Sequence, residues 1–358
     1  MSGRVESDSV SGSRDSPTVD NGSQRGASSG ETGSRGHSLT EGVLEISGEW
    51  PLHHGGSLRD VRLAWRLAGV ADAPLVCAMG GVWCDRRLYE PDDPRRGCWR
   101  EIVGPGRPLD ADRHCILSFD YLGGKGESTG PASGGEFPSI STYDQANALA
   151  RLLDHLRVRE VRAIVGGSYG GMVALAFAER SPERVGALVT VSAADRAHPM
   201  AVAWHSIQRH IVRFAIGCGR GSEGLQLARA VGMSTYRSSE EFAARFPALP
   251  RLESGRFVFP VEQYLFADNP EWVARFRPEA FLALSESLDL HRVDAARIFV
   301  PTAAVAARED QLVPLADVRG LGARLGNARV HEISSIYGHD AYLRESEQLR
   351  KILAVWPS

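Results

Sequence analysis

Ser168 sits in the run Gly166-Gly167-Ser168-Tyr169-Gly170, after the apolar Val161, Ala163, Ile164 and Val165 and before Met172 to Phe177. A short apolar strand, a sharp glycine turn and an Ala-rich helix form the context in which a serine hydroxyl stands above a sheet as a nucleophile. The glycines have a steric role: the turn drives Ser168 into a backbone conformation that neighbouring β-carbons obstruct, and Gly170 lets helix and strand approach closely. A serine hydroxyl attacks poorly until a base takes its proton, so the motif asks for a histidine and an acid elsewhere in the chain. Both follow in order. Glu309 and Asp310 come just past an apolar run ending near Ala306, and His339 falls in a loop past a run ending near Ile333. His339 is expected to take the Ser168 proton and Asp310 to fix the imidazole tautomer. Glu309 is the neighbouring alternative; Asp310 is favoured because Gln311-Leu312-Val313-Pro314 reads as a turn into a helix. The developing oxyanion needs two backbone N–H donors, one from Tyr169 and one from the pair Gly80 and Gly81, with Gly81 preferred.

Positioning these residues takes a sheet. Val43 to Ile46 and the alternating Val61, Leu63, Trp65 and Leu67 predict an antiparallel pair at an edge, joined by a turn over 53–57. Leu75 to Met79 and His114 to Phe119 are short continuous apolar runs, the signature of parallel strands covered on both faces. A helix over 142–156 leads to the strand before Ser168, and Val185 to Ser192 makes the next strand. Strand and helix alternate, so a mostly parallel α/β sheet with helices on both faces is expected. The alternation breaks over 193–290, where Trp204, Ile207, Ile211 and Phe214 form an apolar helical stripe opposite His205, Arg209 and Arg213; this segment is expected to be a helical lid. Strands resume over 297–305 and 328–333, and a last helix runs over 340–355. The order serine, acid, histidine, each past the C-terminal end of a strand, is that of the α/β-hydrolase fold. The expected organisation is a disordered tail over 1–41, hydrolase core over 42–192, lid over 193–290 and core again over 291–358.

Composition narrows the partners. A chain of 358 residues with 43% hydrophobic content has ample material for a core, and a net charge of −3 with scattered arginines offers no stripe for nucleic acid or an anionic membrane. Five cysteines without a C-x-x-C pair favour neither a disulfide framework nor a zinc site, so no metal is expected and a reducing cytoplasm is the expected compartment. No apolar stretch reaches the length of a membrane span. Residues 1–40 are too polar to offset the entropy of ordering them.

Several segments carry a more specific resemblance. Leu122 to Pro131 (LGGKGESTGP), the Gly-Gly-Ser-Tyr-Gly-Gly-Met elbow, Ala201 to Phe214, Thr235-Tyr236-Arg237-Ser238, Asp310 to Pro314 and Tyr337-Gly338-His339-Asp340 together resemble the homoserine O-acyltransferases of the α/β-hydrolase superfamily. The resemblance implies acyl transfer from acyl-coenzyme A, a co-substrate and not a cofactor, to the homoserine hydroxyl. The implied route is ping-pong through acyl-Ser168, as a step towards methionine. It further implies that Arg209 binds the amino-acid carboxylate, that Tyr236 lines the pocket, that Asp340 holds the substrate ammonium, and that the enzyme is a homodimer. The chain departs from the family where Ala78-Met79-Gly80-Gly81-Val82 replaces a His-Ala-Leu-Thr-Gly-like stretch and Gly123 to Glu127 replaces a Ser-Cys-Lys-Gly-Ser-like loop. An open glycine loop followed by Arg86 and Arg87 suggests pairing with a succinyl carboxylate, so succinyl-CoA is preferred over acetyl-CoA as donor. L-serine as acceptor, and a plain esterase of the same fold, are the alternatives.

Overall fold

The computed structural model describes residues 36–267 and 276–356; most of the expected tail lies outside the described residues. Eight strands make one sheet: β1 His37–Pro51, β2 Ser57–Val70, β3 Leu75–Met79, β4 Cys115–Phe119, β5 Ala163–Gly167, β6 Leu188–Val191, β7 Thr302–Ala307 and β8 Ala328–Ile333. They lie in the order β1-β2-β4-β3-β5-β6-β7-β8, with β1, β2 and β4 paired antiparallel and the rest parallel. The chain runs outward from β3 to β4 and then crosses back to β5 on the other side of β3, so a crevice opens at the C-terminal ends of β3 and β5.

Side-chain alternation along these strands feeds two cores. Cys77, Met79, Ile164, Ala304 and Ala306 pack on one face with Leu149, Leu152, Val173 and Phe177, from helices α1 (Thr142–His155) and α2 (Tyr169–Arg180). Val76, Ala78, Val165, Val305 and Ala307 pack on the other with Trp99, Ile102, Leu349 and Ile352. Each fully buried Leu, Ile or Phe contributes about 1.5–3 kcal/mol, which fixes the strands under the site from both sides.

Three boundaries differ from the sequence expectation. β1 starts at His37, before Gly42, because β2 is long enough to pair His37 with Val70 and the ladder continues through polar residues. The strand expected over 297–305 begins only at Thr302; Ala295–Arg297 is a 3-10 turn and Pro301, which has no N–H to give, precedes the strand. The expected last helix is broken into a 3-10 turn Gly338–Asp340 and two helices over Ala341–Arg344 and Ser346–Leu353.

The segment over 193–290 holds helices α3 (Pro199–Gly217), α4 (Gly221–Tyr236), α5 (Ser239–Arg245), α6 (Pro260–Leu265) and α7 (Pro278–Asp289), and a small antiparallel strand pair, Arg251–Glu253 with Arg256–Val258. α3 turns its mixed face inward: Ala201, His205, Gln208 and Val212 are buried, whereas Ile207 is 53% and Phe214 76% exposed. The polar groups on that face are satisfied, Gln208 by the Ala228 carbonyl and His205 by Asp289, so burying them costs little.

Candidate active site

Ser168 leaves β5 with φ 52 and ψ −118, a left-handed conformation outside helix and strand. Such a residue costs about 1–3 kcal/mol and persists only where its surroundings hold it. Its N–H donates to the Val191 carbonyl on β6 and its carbonyl accepts from Gly171 and Met172 in the first turn of α2. A β-carbon at Gly166 would stand 2.3 Å from the Gly170 carbonyl oxygen, and one at Gly170 would stand 2.1 Å from that of Met79. The two glycines are therefore required by contact, as their spacing suggested.

The Ser168 hydroxyl oxygen is 2.8 Å from His339 Nε2, and His339 Nδ1 is 2.7 Å from Asp310 Oδ2. All three side chains are buried. Asp310 is anchored from behind, since its Oδ1 accepts from the Leu312 and Val313 N–H groups. Glu309 points elsewhere, accepting from Ser334 Oγ and the Ser335 N–H, so of the two adjacent acids only Asp310 meets the histidine. Burial pulls the His339 pKa down, but the charge and hydrogen bond of Asp310 and the charge of Asp340 outweigh it and leave it above the usual 6.5.

Gly81 lies at the end of β3 against the serine: a β-carbon there would be 3.6 Å from Ser168 Cβ and 2.2 Å from the Tyr342 hydroxyl. Tyr169 opens α2, where the first N–H groups have no intrahelical acceptor and the helix dipole is positive. Gly80 spends its carbonyl on the Gly170 N–H and the Tyr121 hydroxyl, which fixes the β3 turn beside the elbow. The oxyanion formed when Ser168 Oγ adds to a carbonyl carbon would meet this end of the helix.

Ser168 and His339 line a cavity of about 130 Å³, shared with Trp83, Tyr236, Asp340 and Tyr342. A cavity near 150 Å³ takes up a molecule the size of benzene, so the space suits a small molecule. Tyr236 accepts a hydrogen bond from Trp83 Nε1, and burial pushes its phenol up to about 12. Asp340 caps no helix with its side chain and faces the cavity, its Oδ2 3.0 Å from Arg237 Nε. Burial raises the Asp340 pKa against the pull of Arg237, His339 and Arg344.

Arg209 is not part of this lining. Its guanidinium is 2.6 Å from Asp289 and 2.9 Å from the Ser285 carbonyl, while His205 on the same helix shares Asp289 and does reach the cavity. The pairing expected of Arg86 and Arg87 with a donor carboxylate is corrected: Arg86 is buried against Asp120, Glu127 and Glu41, and Arg87 pairs with Glu41. Both answer acids of their own chain, which sequence spacing does not reveal. Trp83 and Tyr342 carry no signal in the sequence beyond the position of Tyr342 one helical turn past His339, and Arg237 stands in the Thr235 to Ser238 run without a role of its own.

A serine, a histidine and a carboxylate in line at the C-terminal edge of a mostly parallel sheet define a protein of the α/β-hydrolase class, and the alpha/beta hydrolase fold family matches residues 97–345. The chain is 44% identical over 310 residues to a homoserine O-succinyltransferase of Xanthomonas campestris pv. campestris, covering 85% of this chain and 80% of that protein. It is 34% identical over 348 residues to a homoserine O-acetyltransferase of Symbiobacterium thermophilum, covering 84% and 91%. Its fold superimposes on the crystal structure of homoserine O-acetyltransferase from Bacillus anthracis with a TM-score of 0.79 at 17% identity, over 88% of this chain and 96% of the other. The chain belongs to the homoserine O-acyltransferase family.

Proposed function

We propose that this chain transfers a short acyl group from acyl-coenzyme A to the hydroxyl of L-homoserine through an acyl-Ser168 intermediate. The observation that carries this reading is the continuous line Ser168–His339–Asp310 in a small cavity that also presents the Asp340 carboxylate. The three act as a catalytic triad. His339 Nε2 takes the Ser168 proton as Oγ attacks the thioester carbonyl, Asp310 stabilises the imidazolium, and the N–H groups of Tyr169 and Gly81 receive the oxyanion. The C–S bond breaks and the leaving thiolate takes the proton from His339. The acceptor hydroxyl then gives its proton to His339, attacks the acyl-serine carbonyl, and leaves as the ester while Ser168 regains a proton. Asp340 holds the acceptor ammonium and Tyr236 lines its pocket. Arg209, the carboxylate partner that the family resemblance implies, would reach substrate only by giving up Asp289, with which it pairs outside the cavity lining.

Succinyl-CoA is the proposed donor. With Arg86 and Arg87 committed to their own acids, the preference rests on the succinyl-transferring relative and on Arg196 and His205 lining the cavity. Methionine biosynthesis is the proposed pathway and the cytoplasm the proposed compartment. The solvent-facing stripe of Met200, Ile207 and Phe214 on α3 supports a homodimer built on the lid. A steady-state screen of succinyl-CoA and acetyl-CoA against homoserine, L-serine and no acceptor tests the reading. Thiol release that requires homoserine is expected. Equal release without acceptor would make the protein a hydrolase. A preference for serine, one methylene shorter and worth about 1–3 kcal/mol of discrimination, would reassign the acceptor.

A further inference from the structure

The junction between α4 and α5 grips the loop that carries His339. The Ser238 N–H donates to the Ile336 carbonyl, Gln311 Nε2 donates to the Arg237 carbonyl, and a β-carbon at Gly338 would stand 2.7 Å from the Tyr236 carbonyl oxygen. At its centre is the Arg237 side chain, only 13% exposed. Its Nε is 3.0 Å from Asp340 Oδ2, its Nη1 3.2 Å from Glu241 Oε1, and its guanidinium 5.6 Å from the Tyr337 ring centre. One buried cation therefore serves two carboxylates, one on the lid and one in the cavity. Glu241 Oε1 is also 3.3 Å from Arg245 Nη1, so Arg237 is fixed from the lid side.

A buried carboxylate without a cation gives up its charge, and a neutral acid holds an ammonium poorly. Arg237 meets Asp340 at Oδ2, and the Asp340 side chain lines the cavity. We propose that Arg237 is a positioning residue for the acceptor half of the reaction, holding Asp340 ionised and oriented so that its carboxylate receives the amino-acid ammonium. The inference rests on the proposed role of Asp340, and the experiment separates the two.

Arg237→Met and Arg237→Lys are compared with Asp340→Asn by following the half-reactions separately: acylation of Ser168 as the burst of thiol released from acyl-CoA, and discharge of the acyl-enzyme by homoserine. For Arg237→Met, acylation stays within about twofold while KM for homoserine rises about tenfold or more, the size of a lost charge-assisted contact. Arg237→Lys recovers a large part of that rise. An intact burst also certifies the fold. Equal loss of acylation and discharge, or a lysine variant no better than methionine, would reduce Arg237 to a tie between lid and loop and overturn the inference. An Asp340→Asn enzyme with unaltered KM for homoserine would overturn the role of Asp340, and the inference with it.

Discussion

Asp310→Asn probes the line of proton transfer at its least exposed point, a side chain with no solvent exposure. The introduced amide has one acceptor oxygen and one donor nitrogen, where the carboxylate offers two acceptors. Oδ1 now accepts from two backbone N–H groups, Leu312 at 2.9 Å and Val313 at 3.0 Å, and Oδ2 accepts from His339 Nδ1. Two donors outvote one, so the amide oxygen takes the Oδ1 place and the NH₂ faces Nδ1. That forces the proton onto Nε2, which can then no longer accept from Ser168. Turning the amide round restores the tautomer but sets its NH₂ against two buried N–H groups, at about 1–3 kcal/mol each. The competent orientation is thus disfavoured by about 2–6 kcal/mol, and at 1.36 kcal/mol per factor of ten the rate falls roughly 30-fold to 10⁴-fold. The assay is thiol release from acyl-CoA with saturating homoserine, with Glu309→Gln as the parallel variant, expected to stay near the parent rate because Glu309 contacts Ser334 and Ser335. A loss below about fivefold for Asp310→Asn, or a larger loss for Glu309→Gln, would refute the reasoning.

Other consequences are equally direct. His339 must be neutral to accept the serine proton, and its pKa is raised, so kcat/KM for the donor should fall as pH drops through a value above 6.5; Asp340→Asn removes one raising charge and should move that limb to lower pH. A pH profile flat down to 6 would contradict the assignment of His339 as base. Gly170→Ala puts a methyl group 2.1 Å from a backbone oxygen that has no rotamer to yield, and should cost about 1–3 kcal/mol, read as a fall of several degrees in Tm by calorimetry. Phe214→Asp places a charge on the most exposed large apolar side chain of α3, 76% accessible, and should convert a dimer to a monomer in analytical ultracentrifugation with little change in Tm. A parent protein that already sediments as a monomer would remove the dimer from the account.

Much of this site is legible in the sequence because its parts obey local rules. The elbow announces itself through glycines that no other residue can replace, and short unbroken apolar runs mark strands covered on both faces, with chemistry at their C-terminal ends. The choice of Asp310 over Glu309 was also readable, since the helix start at Leu315 requires a turn whose N–H groups the aspartate collects. What sequence does not carry is pairing across long separations. Arg86 finds Asp120 and Glu127, Arg209 finds Asp289, and Arg237 finds Asp340, each more than 30 residues away along the chain. Whether an arginine is free for a substrate depends on such acids. The inward face of α3 was obscure for a related reason: its burial is decided by Asp289 and the Ala228 carbonyl, partners on other helices.

The central claim is that Ser168 carries the acyl group between thioester and hydroxyl. Intact-mass spectrometry with peptide mapping, after mixing enzyme with succinyl-CoA in the absence of acceptor, measures it directly. The account predicts a succinyl adduct on the peptide containing Ser168, absent from Ser168→Ala and discharged by homoserine with formation of the O-acyl ester. An adduct on another residue, or ester formed at the parent rate by Ser168→Ala, would contradict it.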